Sequence, residues 1–403
     1  MINDKNIELL IERLVERSNK ANSYFLKKIG SYLKQIKELK PSQAQKLIQI
    51  LKYGDSYQQI VKEMSKYSNL NVKEIDKIFE SFAKKDQQFA KQFYDYKNVK
   101  FIKFDENKPL KNLTRSLANI TKKEFANFTN NKVLGYSIKN LDGTTRFLGL
   151  KDAYNELLDT ALLNVGQGKE SFDDALFRTL KQIGQSGLKT VDFESGRHIR
   201  LDSMIRMNLQ DGLRNLHNEE QKMFGKEFGS DGVEISVHLN PAPDHEFVQG
   251  KQFSNEEFDN FQNDKRAISY DGMVFEPEFE GHDRRSISQY NCYHYIFAII
   301  LGVSKPNYDE KQLQRIIDQN NQKVEIEEKK YTKYECTQLQ RTLERKIRQN
   351  KDLYILAKQS ENEKLLLESK YNITVLSNKY NEISKISELP TKKDRLRVSG
   401  YKR

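Results

Sequence analysis

Apolar residues recur through the first third of the chain at three- and four-residue spacing, the repeat that places side chains on one face of an α-helix. The pattern begins within MINDKNIELLIERLVER. Pro41-Ser42 opens a run that gathers Leu47, Ile48, Ile50 and Leu51 before Gly54, a residue type that ends helices. Asn71 stands three residues before Glu74, and Val72, Ile75, Ile78, Phe79 and Phe82 form the next stripe, so a fresh helix capped at Asn71 is expected. Residues 99–105 alternate weakly and read as strand or loop, after which helical spacing returns over Leu113–Phe128. Asn140-Leu141-Asp142-Gly143 lies between short apolar stretches and predicts a hairpin turn. Gly166 and Gly168 are expected to break the helix that starts at Leu150. Ser171 should cap its successor, whose buried face is Phe172, Leu176, Leu180 and Ile183. A long helix is predicted over Ile199–Phe224, where Leu201, Ile205, Leu209, Leu213 and Leu216 share a stripe.

After Gly229 the period changes. Val233–Val237 alternates like a strand, and Pro241, Pro243, Pro277 and Pro306, four of the seven prolines, impose turns. Beyond Asn307 helices are predicted over Asp309–Asn320, Tyr331–Gln359 and Glu361–Ile386, followed by TKKDRLRVSGYKR as a flexible basic arm. The expected fold is mainly α with a small α+β central module. Its regions are a basic multi-helix N-terminal part (1–150), a helical connector (151–228), a loop-rich, proline-containing α+β module (229–322) and a helical C-terminal part with a basic tail (323–403).

The 403 residues are 37% apolar, enough for a folded core, and the length predicts two or three domains. The net charge of +11 is a contrast between regions: +13 over 1–150, −10 over 151–322 and +8 over 323–403. DNA, if bound, should therefore meet the terminal blocks and avoid the acidic one. The longest apolar run, Tyr295–Val303, falls well short of the roughly 20 residues a spanning helix needs, so no membrane association is expected. The N-terminus lacks the basic and apolar regions of a secretion signal. Two cysteines, Cys292 and Cys336, cannot build a disulfide framework and fit synthesis in a reducing cytoplasm.

Four of the six histidines, His238, His245, His282 and His294, fall in one stretch with Cys292, accompanied by Asp244 and Asn291. Imidazole and thiolate are ligands zinc selects, and a tetrahedral site would draw on His238 or His245 with Cys292 and His294. The spacing is not that of a zinc finger. The competing reading has the imidazoles bonded to loop carbonyls and Cys292 packed as a small hydrophobe, with no cofactor. Cys292, His245 and Asp244 are also the residue types of a nucleophile, base and orienting acid, although no protease signature surrounds them. A metal-dependent hydrolase would need acids as scattered as Glu276, Glu278 and Asp283, and no catalytic residue is assigned. Gly166-Gln167-Gly168 lacks the third glycine of a phosphate loop. In the C-terminal part Arg341, Arg345 and Arg348 recur at four and three, with Glu344 and Arg348 spaced for an ion pair. Together with Lys392, Lys393, Arg395 and Arg397 they are candidate contacts for DNA or a neighbouring subunit; the alternative is an ordinary salt-bridged surface helix.

Three blocks, HLNPAPDHEFVQGKQFS, YNCYHYIFAIILGVSKPNY and YTKYECTQLQRTLERKIRQNKD, occur in the order and spacing of the phage minor capsid protein 2 family, which the chain resembles. A weaker resemblance through GLKTVDFESGRHIRLDSMIRMNL and the N-terminal helices extends it over nearly the whole chain. The matching positions are His238, Pro241, Pro243, Asp244, His245, Gly250, Asn291, Cys292, His294, Gly302, Gln338, Arg341, Glu344 and Arg348. The chain departs from the pattern at Tyr293, where members often carry arginine, and at Ala298, where many have proline. The resemblance implies a minor structural protein of a tailed-phage head, without enzymatic activity, made in the host bacterial cytoplasm and carried in the virion. It would act at or near the portal in head assembly and DNA packaging. The implied partners are the portal or major capsid protein, packaged double-stranded DNA and a second copy of the chain. Two other readings are a head-borne hydrolase or toxin-like module at 229–307 and a DNA-binding packaging accessory that leaves before maturation.

Overall fold

A computed structural model describes residues 5–401 except 131, 140–141, 166–168, 192–197, 239, 264–277, 280–281, 284–285 and 289–291. The chain runs α1 (Lys5–Glu38), α2 (Pro41–Tyr53), α3 (Ser56–Lys97) and α4 (Lys108–Phe128), then the strands β1 (Leu134–Lys139) and β2 (Thr145–Gly149). Next come α5 (Leu150–Asn164), α6 (Lys169–Ser186), β3 (Lys189–Val191), β4 (His198–Arg200) and α7 (Leu201–Phe228). The central module holds β5 (Gly232–Ile235), α8 (Pro243–Glu246), β6 (Gln252–Ser254), α9 (Asn255–Asn263), β7 (Glu278–Phe279), β8 (His282–Asp283) and β9 (Ile296–Ile299). α10 (Glu310–Asn321), the pair β10 (Val324–Ile326) and β11 (Lys329–Tyr331), α11 (Lys333–Gln359) and α12 (Glu363–Ile386) complete it before a 3-10 turn at Lys393–Leu396. The protein is mainly α with a small antiparallel α+β part, as its periodicity predicts. Among the described residues no helix is long and apolar enough to cross a membrane.

Several local expectations are corrected. Asn71 does not begin a helix: it lies inside α3, whose 42 residues run through it. Residues 99–105, for which the pattern allows strand or loop, are loop and turn. Ser171 lies inside α6 rather than before it, and Ile199 pairs with Thr190 in β4 instead of opening α7. The basic tail is not a loose arm. Val398 is buried, the Ser23 hydroxyl donates to the Ser399 carbonyl, and the Tyr401 ring packs 5.0 Å from Tyr354.

The sequence regions mark changes of composition, and packing groups the chain differently, into two compact units that each draw on three stretches. One comprises Met1–Glu8, Ile75–Thr121 and Met207–Gln338; the other Leu9–Glu74, Lys122–Arg206 and Leu339–Arg403. The first holds 26 basic and 32 acidic residues, net −6, and the second 42 and 25, net +17. We call them the acidic and the basic unit.

In the acidic unit β5 lies between β6 and β9, antiparallel to both, with Val233 opposite Phe253 and Ala298. Ile235, Val248, Phe253, Phe258, Phe261 and Ile287 form one apolar cluster on this sheet. The aromatic face of α3 joins the core from the other side: Phe89 packs 5.0 Å from Phe297, and Phe93 5.2 Å from Phe228. Asp309 starts α10 with a reciprocal cap, accepting from Gln312 N–H while its own N–H donates to the Gln312 amide oxygen, both at 2.8 Å.

The basic unit is built on α1, whose Leu14, Phe25, Leu26 and Ile29 are fully buried. Its sheet has the order β2-β1-β3-β4 and includes the hairpin foreseen around Gly143, which adopts φ +83°. The Asn362 side chain caps α12 by accepting from Leu365 N–H at 3.0 Å.

Candidate functional site

Of the residues the sequence singles out, His245, Cys292 and His294 meet in the acidic unit. Pro243 occupies the first turn of α8, where its missing N–H costs no helical bond, and His245 N–H closes the turn on the Ala242 carbonyl at 3.0 Å. Gly250 turns the chain back toward β6 with φ +74°, a conformation that favours glycine; a Cβ there would also lie 2.5 Å from Leu313. Cys292 and His294 lie just before β9. The Cys292 sulfur stands 3.5 Å from His245 Nδ1 and 3.4 Å from His294 Nδ1, and Ser288 N–H donates to it at 3.4 Å. His245, Cys292 and His294 are 1%, 3% and 0% exposed. His238 is adjacent, its ring centroid 4.3 Å from that of His294. The side chains of Asp244, Glu278, His282 and Asp283, together with Asn291, Glu276 and Pro277, lie outside the described residues. The acids that a hydrolase reading called on are therefore not brought to the cluster by any described contact.

The arginine face read from α11 divides. Arg341 and Arg345 are exposed, but Arg348 is buried in the basic unit, with Nε 2.8 Å from Asp202 Oδ2 and Nη1 donating to the Arg395 carbonyl at 2.6 Å. The Nε approach is an ion contact without hydrogen-bond alignment. Arg200 reaches Asp202 at 3.3 Å and Asp352 at 3.2 Å, and Arg206 grips Glu12 with Nε and Nη2 at 2.7 and 2.8 Å. Three guanidinium groups thus face three carboxylates, a balance that makes tolerable the burial of Arg200, Arg348, Asp202 and Asp352, with Arg206 and Glu12 half-buried beside them. Burial pushes the Asp202 carboxyl up, but Arg200, Arg348 and Arg206 overcome it and hold the group well below the usual carboxylate range. Burial lifts Asp352 to about 6, with Arg200 pulling it down and Asp202 pushing it up. Asn22 links Asp352 to the buried Tyr136 hydroxyl, donating to the former at 3.0 Å and accepting from the latter at 2.9 Å.

Expected contacts in the tail are placed by α11 and α12 together. Lys392 N–H donates to the Tyr380 hydroxyl at 2.9 Å, Tyr380 donates to Glu344 at 3.3 Å, and the Lys351 amine donates to the Leu396 carbonyl at 2.6 Å. Burial, then the Arg348 charge, brings Lys351 down to about 8. Lys392, Lys393 and Arg397 are exposed, Arg395 is half-buried, and Arg397 pairs with Asp394 at 3.0 Å. A cavity of about 440 Å³ beside Arg348 is lined by five arginines and four carboxylates, too evenly matched to select an anion.

A third polar group was not foreseen. In the acidic unit Asp86 of α3 accepts from His217 Nδ1 at 2.7 Å and from the Gln221 amide at 3.2 Å, while His217 Nε2 faces the Ile296 carbonyl at 2.8 Å. Burial, then the Asp86 charge, raises the Glu220 carboxyl well above its ordinary range, a push toward the neutral acid. The available signal was the stripe Leu216, Glu220, Phe224 at spacings of four, which puts a carboxyl at a core position.

No curated protein and no solved structure matches the chain. The family described as phage minor capsid protein 2 matches residues 2–383, covering all the elements from α1 to the last turns of α12 and the His245, Cys292 and His294 cluster. The chain therefore belongs to the phage minor capsid protein 2 family and is a minor structural protein of a phage capsid, carried in the virion.

Proposed function

We propose that the protein acts at or near the portal during head assembly and DNA packaging, with the basic unit toward packaged DNA and the acidic unit toward portal or capsid protein. The observation that carries this reading is the sorting of charge into units of +17 and −6. A surface of that sign attracts the phosphate backbone, and its DNA contacts would release counterions. The exposed Arg341, Arg345, Lys392, Lys393 and Arg397 are the residues proposed to serve it. Arg348, committed to Asp202, is withdrawn from that set. Burial of His245, Cys292 and His294 favours an architectural over a hydrolytic part for the loop-rich module.

Gradient-purified heads should retain the protein, and cross-linking should join lysines of the basic unit to DNA-proximal surfaces near the portal. The purified chain should bind double-stranded DNA with an affinity that falls steeply with salt, and Arg341→Glu with Arg345→Glu should weaken it. Recovery solely in the soluble fraction of a lysate would refute the virion placement, and salt-insensitive or absent DNA binding would refute the role of the basic unit.

A further inference from the structure

We propose that His245 Nδ1, Cys292 Sγ and His294 Nδ1 bind a zinc ion that fastens α8 to the segment entering β9. These donor atoms all lie within 4.8 Å of one another, on buried side chains of the acidic unit. A tetrahedral ion with Zn–S of about 2.3 Å and Zn–N of about 2.0 Å sets its sulfur and nitrogen ligands about 3.5 Å apart. The two S···N separations are 3.5 and 3.4 Å. A thiolate with two imidazoles is the donor set of zinc, whereas magnesium and calcium take oxygen.

The hydrogen bonds around the cluster orient it for a metal. Gln249 Oε1 accepts from the His238 backbone N–H at 3.2 Å, which fixes the amide, because a flipped amide would oppose two donors. The same oxygen faces His294 Nε2 at 3.4 Å, so that nitrogen carries the proton and Nδ1 turns a lone pair toward the sulfur. Such an outer carbonyl partner is what fixes the tautomer of a ligating histidine. The Ser288 N–H donates to the sulfur at 3.4 Å, a hydrogen bond that a metal-bound thiolate also accepts. When zinc binds, the thiol proton leaves to solvent, the thiolate and both Nδ1 lone pairs hold the ion, and nothing is oxidised or reduced. The resulting cross-link joins residues 47 apart in sequence. The inference does not depend on the role at the portal.

The test uses the full chain, produced with zinc and purified without chelators or a metal-binding tag. Elemental analysis should find about one zinc per chain, and the cobalt-exchanged protein should show thiolate-to-cobalt charge transfer in the near ultraviolet. Cys292→Ser should abolish that band and cut zinc to less than about a tenth of the wild-type content, while Cys336→Ala should keep both. Should Cys292→Ser fail to fold, the wild-type measurements decide alone. Wild-type protein with less than about a tenth of an equivalent of zinc, or a cobalt form without the band, overturns the proposal, as does a folded Cys292→Ser variant that keeps the band.

Discussion

Arg348→Ala is expected to destabilise the basic unit by about 3 kcal/mol, the low end of the roughly 3–5 kcal/mol for breaking a buried ion pair from one side. The side chain is 4% exposed, and its loss leaves the Asp202 carboxylate facing Arg200 with one buried cation fewer. It also strands the Arg395 carbonyl, worth about 1 kcal/mol, so the uncompensated charge decides the outcome. The lower bound applies because burial, reinforced by Arg200 and Arg206, depresses the Arg348 pKa despite the pull of Asp202, so the wild-type cation already sits at a cost. At about 2–4 °C per kcal/mol for a unit of this size, the melting transition should fall by roughly 6–12 °C in circular dichroism. Arg341→Ala and Arg345→Ala, exposed on the same helix, should stay within about 0.5 kcal/mol of wild type. An Arg348→Ala protein that melts within about 2 °C of wild type, or three equal shifts, would refute the core assignment.

The Asp352 carboxyl, raised from 3.8 to about 6, contributes stability that is fully present below pH 3.8 and is lost as pH rises through about 6. The wild-type advantage over Asp352→Asn in urea unfolding should therefore shrink by roughly 3 kcal/mol between those limits; a pH-independent difference would contradict it. Glu220→Gln, which mimics the neutral acid, should cost less than about 1 kcal/mol and remove an infrared carbonyl band of a protonated carboxyl. A loss above about 3 kcal/mol would mean that Glu220 is ionised. Gly212→Ala gains about 0.5–1 kcal/mol of helix propensity, but its Cβ would lie 2.3 Å from Thr121 Oγ1 and 2.9 Å from Phe79 Cζ. Overpacking of about 1–3 kcal/mol should win, and a raised melting temperature for this variant would show that Thr121 and Phe79 move aside.

Local chemistry made much of the architecture legible. Pro41 and Gly54 bracket α2, the Gly143 turn joins β1 to β2, and three C-terminal helices fall within about two residues of their predicted starts, because periodicity and capping act over one or two turns. The same locality misled at Asn71, where a capping pattern is overridden by the packing of a continuous α3. The His/Cys segment was legible as chemistry, since residue type alone suggests ligands. Which histidine joins Cys292 was not: His238 and His245 are equal candidates until α8 turns His245 onto the sulfur. Charge shows the largest gap. Sequence order divides +11 into +13, −10 and +8, whereas the folded chain sorts it into −6 and +17, because each unit assembles three distant stretches. Arg348 belongs to a basic stripe by spacing and to a buried ion cluster by packing, since its partner Asp202 lies at the start of α7. Helical period is written within a few residues of sequence; burial and pairing of a charge depend on segments more than a hundred residues away, and those only the tertiary structure brings together.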